Sequence, residues 1–303
     1  MEDRDSLDTV NRVVVAVVAL LRNKRQLEKL ISGAHLTSSQ SRLDTAHRVR
    51  YFGCGGDVAG NVSTEFPMNR EYKNAYSHEL HRDVELLVFG HAGSPLLVFP
   101  TSMGRFFEYE DRGVIGVLSP KIERGELQVF CPDSVDTESW YNKSLHPRVR
   151  VLRHLQYERY ILHELLPFLR WKNQSSQLAV TGCSFGGYHA VNFSLKHPDV
   201  VTHCVSMSGA YDIHQFLDGY YDDDCYFNCP PDFLPNQNDD WFLSRYRQMK
   251  IVLGSADWDM CLDQNVKLSA MLNAKAVPNW LDVWRDNSQH DWPLWLKMAG
   301  KYF

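Results

Sequence analysis

The sequence lacks the features that mark nucleic-acid-binding and membrane-spanning proteins. Its 32 Lys and Arg are outnumbered by 37 Asp and Glu, and the formal net charge is −5, whereas nucleic-acid-binding domains usually carry a basic patch or stripe. The apolar run at 13–21 has nine residues, and a membrane helix needs about 20. We therefore expect a globular protein whose partners include neither nucleic acid nor a membrane.

Cysteine spacing excludes two further classes. The chain has seven cysteines among 303 residues, an odd number without the dense pattern of a disulfide framework. Cys131 and Cys204 lie in apolar, strand-like runs, where a thiol behaves as a small hydrophobe. Cys225 and Cys229 are four residues apart with no histidine pair nearby, which argues against a metal site there. These observations predict a reduced, cytoplasmic protein with no metal.

Residues 1–67 differ in texture from the remainder and are predicted to be an N-terminal extension. Residues 6–32 are predicted to form a helix, acidic at its start and basic further along, as the helix dipole favours. The acidic residues before its apolar run argue against a secretory signal, so we expect packing or self-association into a homo-oligomer. Residues 33–67 are rich in Ser, Gly and Thr and predict an irregular linker.

Residues 68–303 alternate short apolar runs with amphipathic stretches, as parallel βαβ units do. This predicts an α/β fold with a mostly parallel central sheet flanked by helices. Strands are predicted at 79–89, 96–99, 127–131, 178–183, 204–207, 251–253 and 281–284. Helices are predicted at 105–118, 146–169, 241–247 and 291–301. Residues 210–240 are turn-rich and aromatic, and we interpret them as a small cap; the acidic run 222–224 favours a solvated face over a metal cluster.

A G-x-S-x-G motif follows the predicted strand 178–183 directly. It reads Gly182-Cys183-Ser184-Phe185-Gly186 and precedes a helix-like stretch. In this strand–turn–helix context the turn must be sharp, so the positions two before and two after the serine must be small. Both are glycine here. The motif therefore predicts that Ser184 is a nucleophile lifted above the carboxyl edge of the sheet.

A nucleophilic serine needs a base and an orienting acid. His290 is the best candidate base, because no other histidine follows the last predicted strand. For the acid, Asp257 follows the strand 251–253 and is preferred, with Asp259 and Asp263 as neighbouring carboxylates. The alternative role of Asp257 is to cap the next helix. All of these residues follow predicted parallel strands, whose carboxyl ends share one edge.

Two further sets of residues complete the predicted site. Backbone N–H groups that stabilise an oxyanion are expected at Phe185 and in the loop 100–105, where Ser102 is preferred and Met103 is the alternative. Large aromatic side chains fall near the same loops. Trp140, Tyr141 and Trp258 are candidates for lining a compact acyl pocket, and packing in the core is the equally weighted alternative.

These stretches together resemble the esterase D-like branch of the α/β-hydrolase superfamily, which includes putative esterases and S-formylglutathione hydrolases, and more distantly the mycolyltransferases. The similarity runs from about Met68 to Phe303. Because members of this group commonly begin near the equivalent of Met68, residues 1–67 are either an added element or a stretch upstream of a natural start at Met68. The matching stretches are 85–110, 136–141, 182–187, Asp257 and His290-Asp291-Trp292. Where many relatives have His-Gly, this chain has Pro-Thr-Ser-Met at 100–103.

The resemblance implies a serine hydrolase acting on carboxylic esters, with Ser184, Asp257 and His290 as its triad; no cofactor is expected. Because the predicted cap is small and bulky aromatic residues flank the site, we expect hydrolysis of short-acyl esters through an acyl-enzyme. The alternatives are a thioesterase of the S-formylglutathione hydrolase type or an acyltransferase. A non-catalytic binding module on the same scaffold is a further alternative, which the intact serine, acid and base argue against.

Overall fold

A computed structural model describes residues 68–303 of the chain. The helix predicted at 6–32 and the linker at 33–67 lie outside the described residues. Within the described part, the chain forms an eight-stranded sheet in the order β1-β2-β4-β3-β5-β6-β7-β8. The strands are β1 (Arg70–Ser77), β2 (Arg82–Phe89), β3 (Ser94–Phe99), β4 (Leu127–Pro132), β5 (Ala179–Cys183), β6 (His203–Met207), β7 (Lys250–Trp258) and β8 (Trp280–Gln289).

The sheet is parallel from β4 to β8 and antiparallel at one edge. β1 pairs antiparallel with β2, and β2 pairs antiparallel with β4. All other neighbouring strands run parallel, with β3 between β4 and β5 and with Phe99 opposite Gly182. The ends of β3, β5, β6, β7 and β8 therefore meet at one edge. This is the mostly parallel α/β fold that the sequence predicts.

Alternating side chains of the central strands feed two apolar cores, one on each face of the sheet. In β3, Leu97 and Phe99 belong to one core, and Leu96 and Val98 belong to the other. Strands that are buried on both faces are near-continuous apolar runs, which is why the sequence makes β3, β4 and β5 recognisable.

Helices cover both faces of this sheet. They are α1 (Glu108–Asp111), α2 (Val114–Glu123), α3 (Pro147–Tyr160), α4 (Leu166–Lys172), α5 (Phe185–Lys196), α6 (Asp223–Tyr226), α7 (Pro230–Phe233), α8 (Asp240–Tyr246), α9 (Leu262–Ala274) and α10 (Trp292–Tyr302). A π-helical turn at Ile161–Leu165 joins α3 to α4. Among the described residues, no helix is both long enough and apolar enough to cross a bilayer.

Several predicted elements have different boundaries; the strand predicted at 281–284, for example, spans Trp280–Gln289. Two differences matter most. The helix predicted at 105–118 is broken, because Gly113 adopts a φ of +83° between α1 and α2. The strand predicted at 251–253 extends to Trp258, so Asp257 lies in β7 and not in the turn after it. The second difference changes which carboxylate reaches the site.

The segment interpreted as a cap consists of short helices. After β6, the chain forms a 3₁₀ turn at His214–Phe216, then α6, α7, a second 3₁₀ turn at Leu234–Asn236, and α8. Arg150 of α3 is 2% exposed, and it donates hydrogen bonds to the Phe216 carbonyl and the Asp218 carboxylate, both at 2.7 Å. The first part of the segment is thereby tied to the helix layer.

Candidate active site

Ser184 lies on a strained turn between β5 and α5. Its φ is +56° and its ψ is −119°, a backbone conformation that costs a non-glycine residue on the order of 1–3 kcal/mol. The turn is held by two backbone hydrogen bonds, from Ser184 N–H to the Met207 carbonyl at 2.8 Å and from Ala210 N–H to the Ser184 carbonyl at 3.2 Å. Hydrogen bonds to the end of β6 and to the residues that follow it therefore offset the strain of the turn.

Close backbone packing explains both glycines of the motif. A Cβ at Gly182 would lie 2.2 Å from the carbonyl carbon of Gly186, and a Cβ at Gly186 would lie 2.4 Å from the carbonyl oxygen of Phe99. Neither backbone can yield like a flexible side chain. The first turn of α5 is consequently pressed against the end of β3, and this brings the loop after β3 beside Ser184.

His290 lies between Ser184 and a carboxylate. Its Nε2 is 2.8 Å from Ser184 Oγ, and its Nδ1 is 2.8 Å from Asp259 Oδ1. An ionised carboxylate only accepts hydrogen bonds, so Nδ1 carries the proton and the lone pair of Nε2 faces the hydroxyl. This is the arrangement in which an imidazole can remove a serine proton.

The structure places Asp259, not Asp257, against His290. Asp257 is exposed in the last part of β7, whereas the Asp259 side chain is fully buried. The chain turns after β7, with Asp259 N–H donating to the Ala256 carbonyl at 3.1 Å. The preference for Asp257 rested on a predicted strand that ended at residue 253 and was wrong: β7 continues to Trp258, and the carboxylate that contacts His290 belongs to Asp259.

The Asp259 carboxylate is held in its ionised form. Burial raises its pKa, but hydrogen bonds from His290 and from the Cys261 N–H outweigh burial, so that the net pKa is lowered. Ser255 Oγ also donates to Oδ2 at 3.0 Å. A buried carboxylate with these donors fixes the orientation and the tautomer of His290.

Trp295 supports the histidine from its other side. Its ring packs edge-on against the imidazole, with centroids 5.1 Å apart. Its indole N–H donates to Ser208 Oγ at 2.9 Å, which ties α10 to the end of β6. Trp292 stacks edge-on against Trp295 in turn. Both tryptophans lie within five residues after His290 in the sequence, but the sequence alone does not indicate that they support the imidazole.

Three side chains hold the loop that follows β3. Glu108 accepts hydrogen bonds from the N–H and the hydroxyl of Thr101, at 2.8 and 2.6 Å. Asp136 accepts from the Met103 N–H at 3.2 Å, and Tyr141 donates to Ser102 Oγ at 2.7 Å. The loop is thus fixed at three successive residues.

These contacts distinguish the predicted oxyanion donors. Within residues 68–303, the N–H groups of Phe185 and Ser102 donate to no acceptor, whereas Met103 N–H is occupied by Asp136. Met103, the alternative donor, is therefore the less available of the two loop residues. Sequence reasoning missed Asp136, whose carboxylate is completely buried and also faces His189 Nε2 at 2.9 Å.

The three predicted aromatic residues lie in three different environments. Trp140 is 0% exposed and packs against His154 and Phe216 in the core, as the alternative interpretation of this residue expects. Trp258 is 63% exposed beside the acid. Tyr141 is half-buried and contacts Phe185, the residue after the serine, with ring centroids 5.4 Å apart. Of the three, Tyr141 alone contacts the nucleophile turn.

Two clusters of donor atoms have the spacing of a metal site. Asp212, His214 and Cys229 form one cluster, and Asp259, Cys261 and His290 form the other. The sequence indicated neither, because His214 approaches Cys229 only through the fold of the 210–240 segment. The six cysteines of the described residues are buried and unpaired.

Comparison with known proteins agrees with this geometry. Residues 135–297 match the model of the Esterase family, described as "Putative esterase". The match covers more than half of the chain and contains Ser184, Asp259 and His290. The chain belongs to this family. The predicted class, a carboxylic ester hydrolase, is thereby confirmed.

Solved structures of related fold are esterases and hydrolases. A ferulic acid esterase superposes with a TM-score of 0.64 at 18% identity, over 78% of this chain and 97% of its own. S-formylglutathione hydrolases from Agrobacterium tumefaciens and Staphylococcus aureus have TM-scores of 0.62 and 0.56 at 12% and 15% identity, over 79% and 78% of this chain and 95% and 94% of theirs. At such identities the likeness establishes the α/β-hydrolase fold. No curated protein matches the chain in sequence.

Proposed function

We propose that the protein is a serine esterase that hydrolyses short-acyl carboxylic esters through Ser184, His290 and Asp259. The observation that carries the proposal is the pair of 2.8 Å contacts that His290 makes, one to a hydroxyl and one to a buried carboxylate. This pairing activates a hydroxyl that is otherwise a poor nucleophile.

Acylation begins when His290 Nε2 takes the proton of Ser184 as Oγ attacks the ester carbonyl carbon. The N–H groups of Phe185 and Ser102 stabilise the negative oxygen of the tetrahedral intermediate, and they support this role by being free of other acceptors in the described part of the chain. The imidazolium, stabilised by Asp259, then protonates the leaving alcohol. The product is an acyl group on Ser184 Oγ.

Deacylation repeats these steps with water. His290 removes a proton from water, hydroxide adds to the acyl carbon, and the proton returns to Ser184 as the carboxylic acid leaves. Every proton is accounted for by one imidazole. The reaction therefore needs substrate, water, the three side chains and the two backbone N–H groups.

Aromatic packing beside the nucleophile supports a preference for small acyl groups. Tyr141, Phe185 and Phe216 form a mutual cluster, with ring centroids 4.9–5.4 Å apart. Phe185 is 1% exposed and Phe216 is 3% exposed. Packed rings next to the serine leave little space for a long chain, because each already has neighbours at contact distance.

A panel of p-nitrophenyl esters of increasing acyl length tests the proposal. We expect kcat/KM to be highest for the acetate, to fall with chain length, and to be lost with Ser184→Ala. A higher kcat/KM for long-chain esters would contradict the short-acyl preference. Activity retained by Ser184→Ala would contradict the mechanism.

The thioester reaction is the second candidate function, and the likeness of fold to two S-formylglutathione hydrolases favours testing it. Attack on a thioester uses the same serine and releases a thiol in place of an alcohol. Measuring S-formylglutathione beside p-nitrophenyl acetate separates the two. A strong preference for the glutathione thioester would assign the protein to the thioesterase reaction, and ester formation from an added alcohol would assign it to acyl transfer.

A further inference from the structure

A second set of donor atoms lies at the acid end of the candidate site. Asp259, Cys261 and His290 each offer one atom, and these atoms all lie within 4.8 Å of one another. The turn after β7 creates the arrangement, because Asp259 Oδ1 accepts from the Cys261 N–H at 2.8 Å and also faces His290 Nδ1. A carboxylate, a thiol and an imidazole thus converge.

The thiol of Cys261 has no part in the triad and, within residues 68–303, no hydrogen-bond partner. Cys261 is 6% exposed. Its N–H is used, but among residues 68–303 its Sγ contacts no donor or acceptor. Two of the other buried thiols do have such a partner: Cys183 Sγ lies 3.2 Å from the Tyr109 hydroxyl, and Cys229 Sγ lies 4.0 Å from His214 Nδ1. An unpartnered buried thiol beside a carboxylate and an imidazole is an observation independent of the triad.

We propose that Asp259, Cys261 and His290 form a binding site for a divalent cation of the zinc type, and that its occupation switches the esterase off. Thiolate, imidazole and carboxylate are the protein ligands that zinc takes, at about 2.0–2.3 Å. Donors at those lengths around a tetrahedral ion lie roughly 3–4 Å apart, so side-chain shifts of a fraction of an ångström to about one ångström suffice. Water completes the fourth position.

The inhibitory part of the proposal rests on the proposed function. When the metal–sulfur bond forms, the thiol proton leaves to solvent. The lone pair of Nδ1 binds the ion, so the imidazole proton moves from Nδ1 to Nε2. A protonated Nε2 cannot accept the proton of Ser184, and the nucleophile is no longer activated. Removal of the ion by a chelator reverses each step.

The other cluster provides a matched control. In it, the imidazole of His214 is already held by two carboxylates, with Nδ1 2.6 Å from Asp212 and Nε2 3.3 Å from Asp232. Asp212 and His214 are also about half exposed. Both nitrogens are thus engaged by acceptors, and the thiol of Cys229 already has the imidazole as a partner. Substituting Cys229 therefore tests whether zinc binding depends on Cys261 specifically or on another buried thiol as well.

Zinc binding is measured first, by titration calorimetry on the full chain carrying Ser184→Ala. This variant cannot hydrolyse, and its missing hydroxyl is not a ligand. We expect one zinc site, an affinity at least about tenfold lower when Cys261→Ala is added, and no change when Cys229→Ala is added instead. Undiminished affinity with Cys261→Ala, or loss of binding with Cys229→Ala, would overturn the site.

A second variant and a spectroscopic readout guard against a change in folding. Cys261→Ser keeps the side-chain size but supplies a poorer zinc ligand, and circular dichroism verifies that each variant is folded. Cadmium gives a thiolate charge-transfer band in the ultraviolet. We expect this band with Ser184→Ala, and we expect it to disappear when either Cys261 substitution is added; a band that persists would contradict the proposal.

Inhibition is measured separately, with wild-type protein and a short-acyl ester. Each variant is compared with its own metal-free rate, so basal differences cancel. We expect zinc to inhibit the wild type, a chelator to restore it, and Cys261→Ala to be insensitive. Zinc that binds through Cys261 without slowing hydrolysis would overturn the switch. If no ester were hydrolysed, the proposed function would fail while the calorimetry still decided the metal site.

Discussion

The two halves of the candidate site are built in contrasting ways. At the end of β5 every residue from Ala179 to Cys183 is buried, and the turn that carries Ser184 leaves no room for a side chain at Gly182 or Gly186. At the ends of β7 and β8 the last residues are exposed, and the pairing is irregular between Ala256 and Trp258. One half is fixed by steric exclusion and the other by where two strands happen to end.

The contrast explains which residues a sequence reveals. Steric exclusion demands one residue type, so a glycine two places on either side of a serine is a specific signal. The end of a strand requires no particular residue type. Asp257, Asp259 and Asp263 all lie within seven residues, and the length of β7 decides which carboxylate meets His290. The position of Ser184 can therefore be predicted from the sequence, whereas the choice among the three carboxylates depends on the three-dimensional structure.

The largest effect is expected from the acid. Asp259→Asn replaces the carboxylate with a neutral amide, whose NH2 group can donate to Nδ1 of His290 and so favours the wrong tautomer. The substitution should lower kcat/KM by about 10³–10⁴-fold. Asp257→Asn is the matched control, two residues away and exposed, and it should stay within about threefold. Steady-state kinetics with a short-acyl ester measures both. A greater loss of kcat/KM with Asp257→Asn than with Asp259→Asn would show that Asp257 is the acid and would contradict this account of the site.

The steric half is tested by Gly186→Ala. Its Cβ would lie 2.4 Å from a backbone oxygen, so we expect a loss of about 3 kcal/mol or more in the free energy of unfolding. Gly116→Ala is the control, because that glycine lies in α2 with no atom within 4 Å of an added Cβ. It should stabilise by about 0.5–1 kcal/mol. Urea denaturation measures both, and equal effects would refute the steric account.

Positioning of the loop after β3 predicts a smaller effect on rate. Tyr141→Phe removes only the hydroxyl that donates to Ser102, and it should lower kcat about threefold to tenfold with little change in KM. Tyr72→Phe removes a comparable hydroxyl contact, 2.9 Å to Glu85 on the antiparallel edge, and kcat should be unchanged. A change confined to KM in Tyr141→Phe would show that the hydroxyl acts on substrate binding instead.

The smallest effect is expected in the pH dependence of stability. The pKa of Asp259 is lowered in the folded protein by a balance in which burial opposes the hydrogen bonds from His290 and Cys261. Its ionised form therefore stabilises the fold above the unfolded pKa, about 3.9, and that contribution is lost as pH falls below it towards the folded pKa. The difference in unfolding free energy between wild type and Asp259→Asn should shrink between pH 6 and pH 3. A constant difference would contradict this.

Strands are predictable from the sequence where burial requires apolar residues, and they are missed where the strand is exposed and polar. Strands β3 to β6 were recognisable as apolar runs, and the helix after His290 begins as expected, with Asp291 capping it through the Trp292 N–H at 2.7 Å. β1 was missed because it is an edge strand whose residues are mostly exposed and polar. A strand of that kind has no apolar alternation to detect.

The structure brings together Ser184 and His290, which the sequence singled out by the G-x-S-x-G motif and by the position after the last predicted strand. Residues whose roles depend on contacts with distant elements were not singled out in this way. Asp136 begins one of the stretches that match the family, but nothing in that stretch indicates that its carboxylate fixes the loop after β3. Trp140 is a large aromatic residue of the kind that often lines a pocket, but it is fully buried in the core. Such roles depend on contacts between elements far apart in sequence.

The central claim is that Ser184, activated by His290 and Asp259, forms the acyl-enzyme. Covalent labelling with a fluorophosphonate, mapped by mass spectrometry of peptides, tests it most directly. The account predicts a single adduct on the peptide that carries Ser184, formed far more slowly in Asp259→Asn and absent in Ser184→Ala. An adduct on another residue, or undiminished labelling of Ser184→Ala, would contradict it.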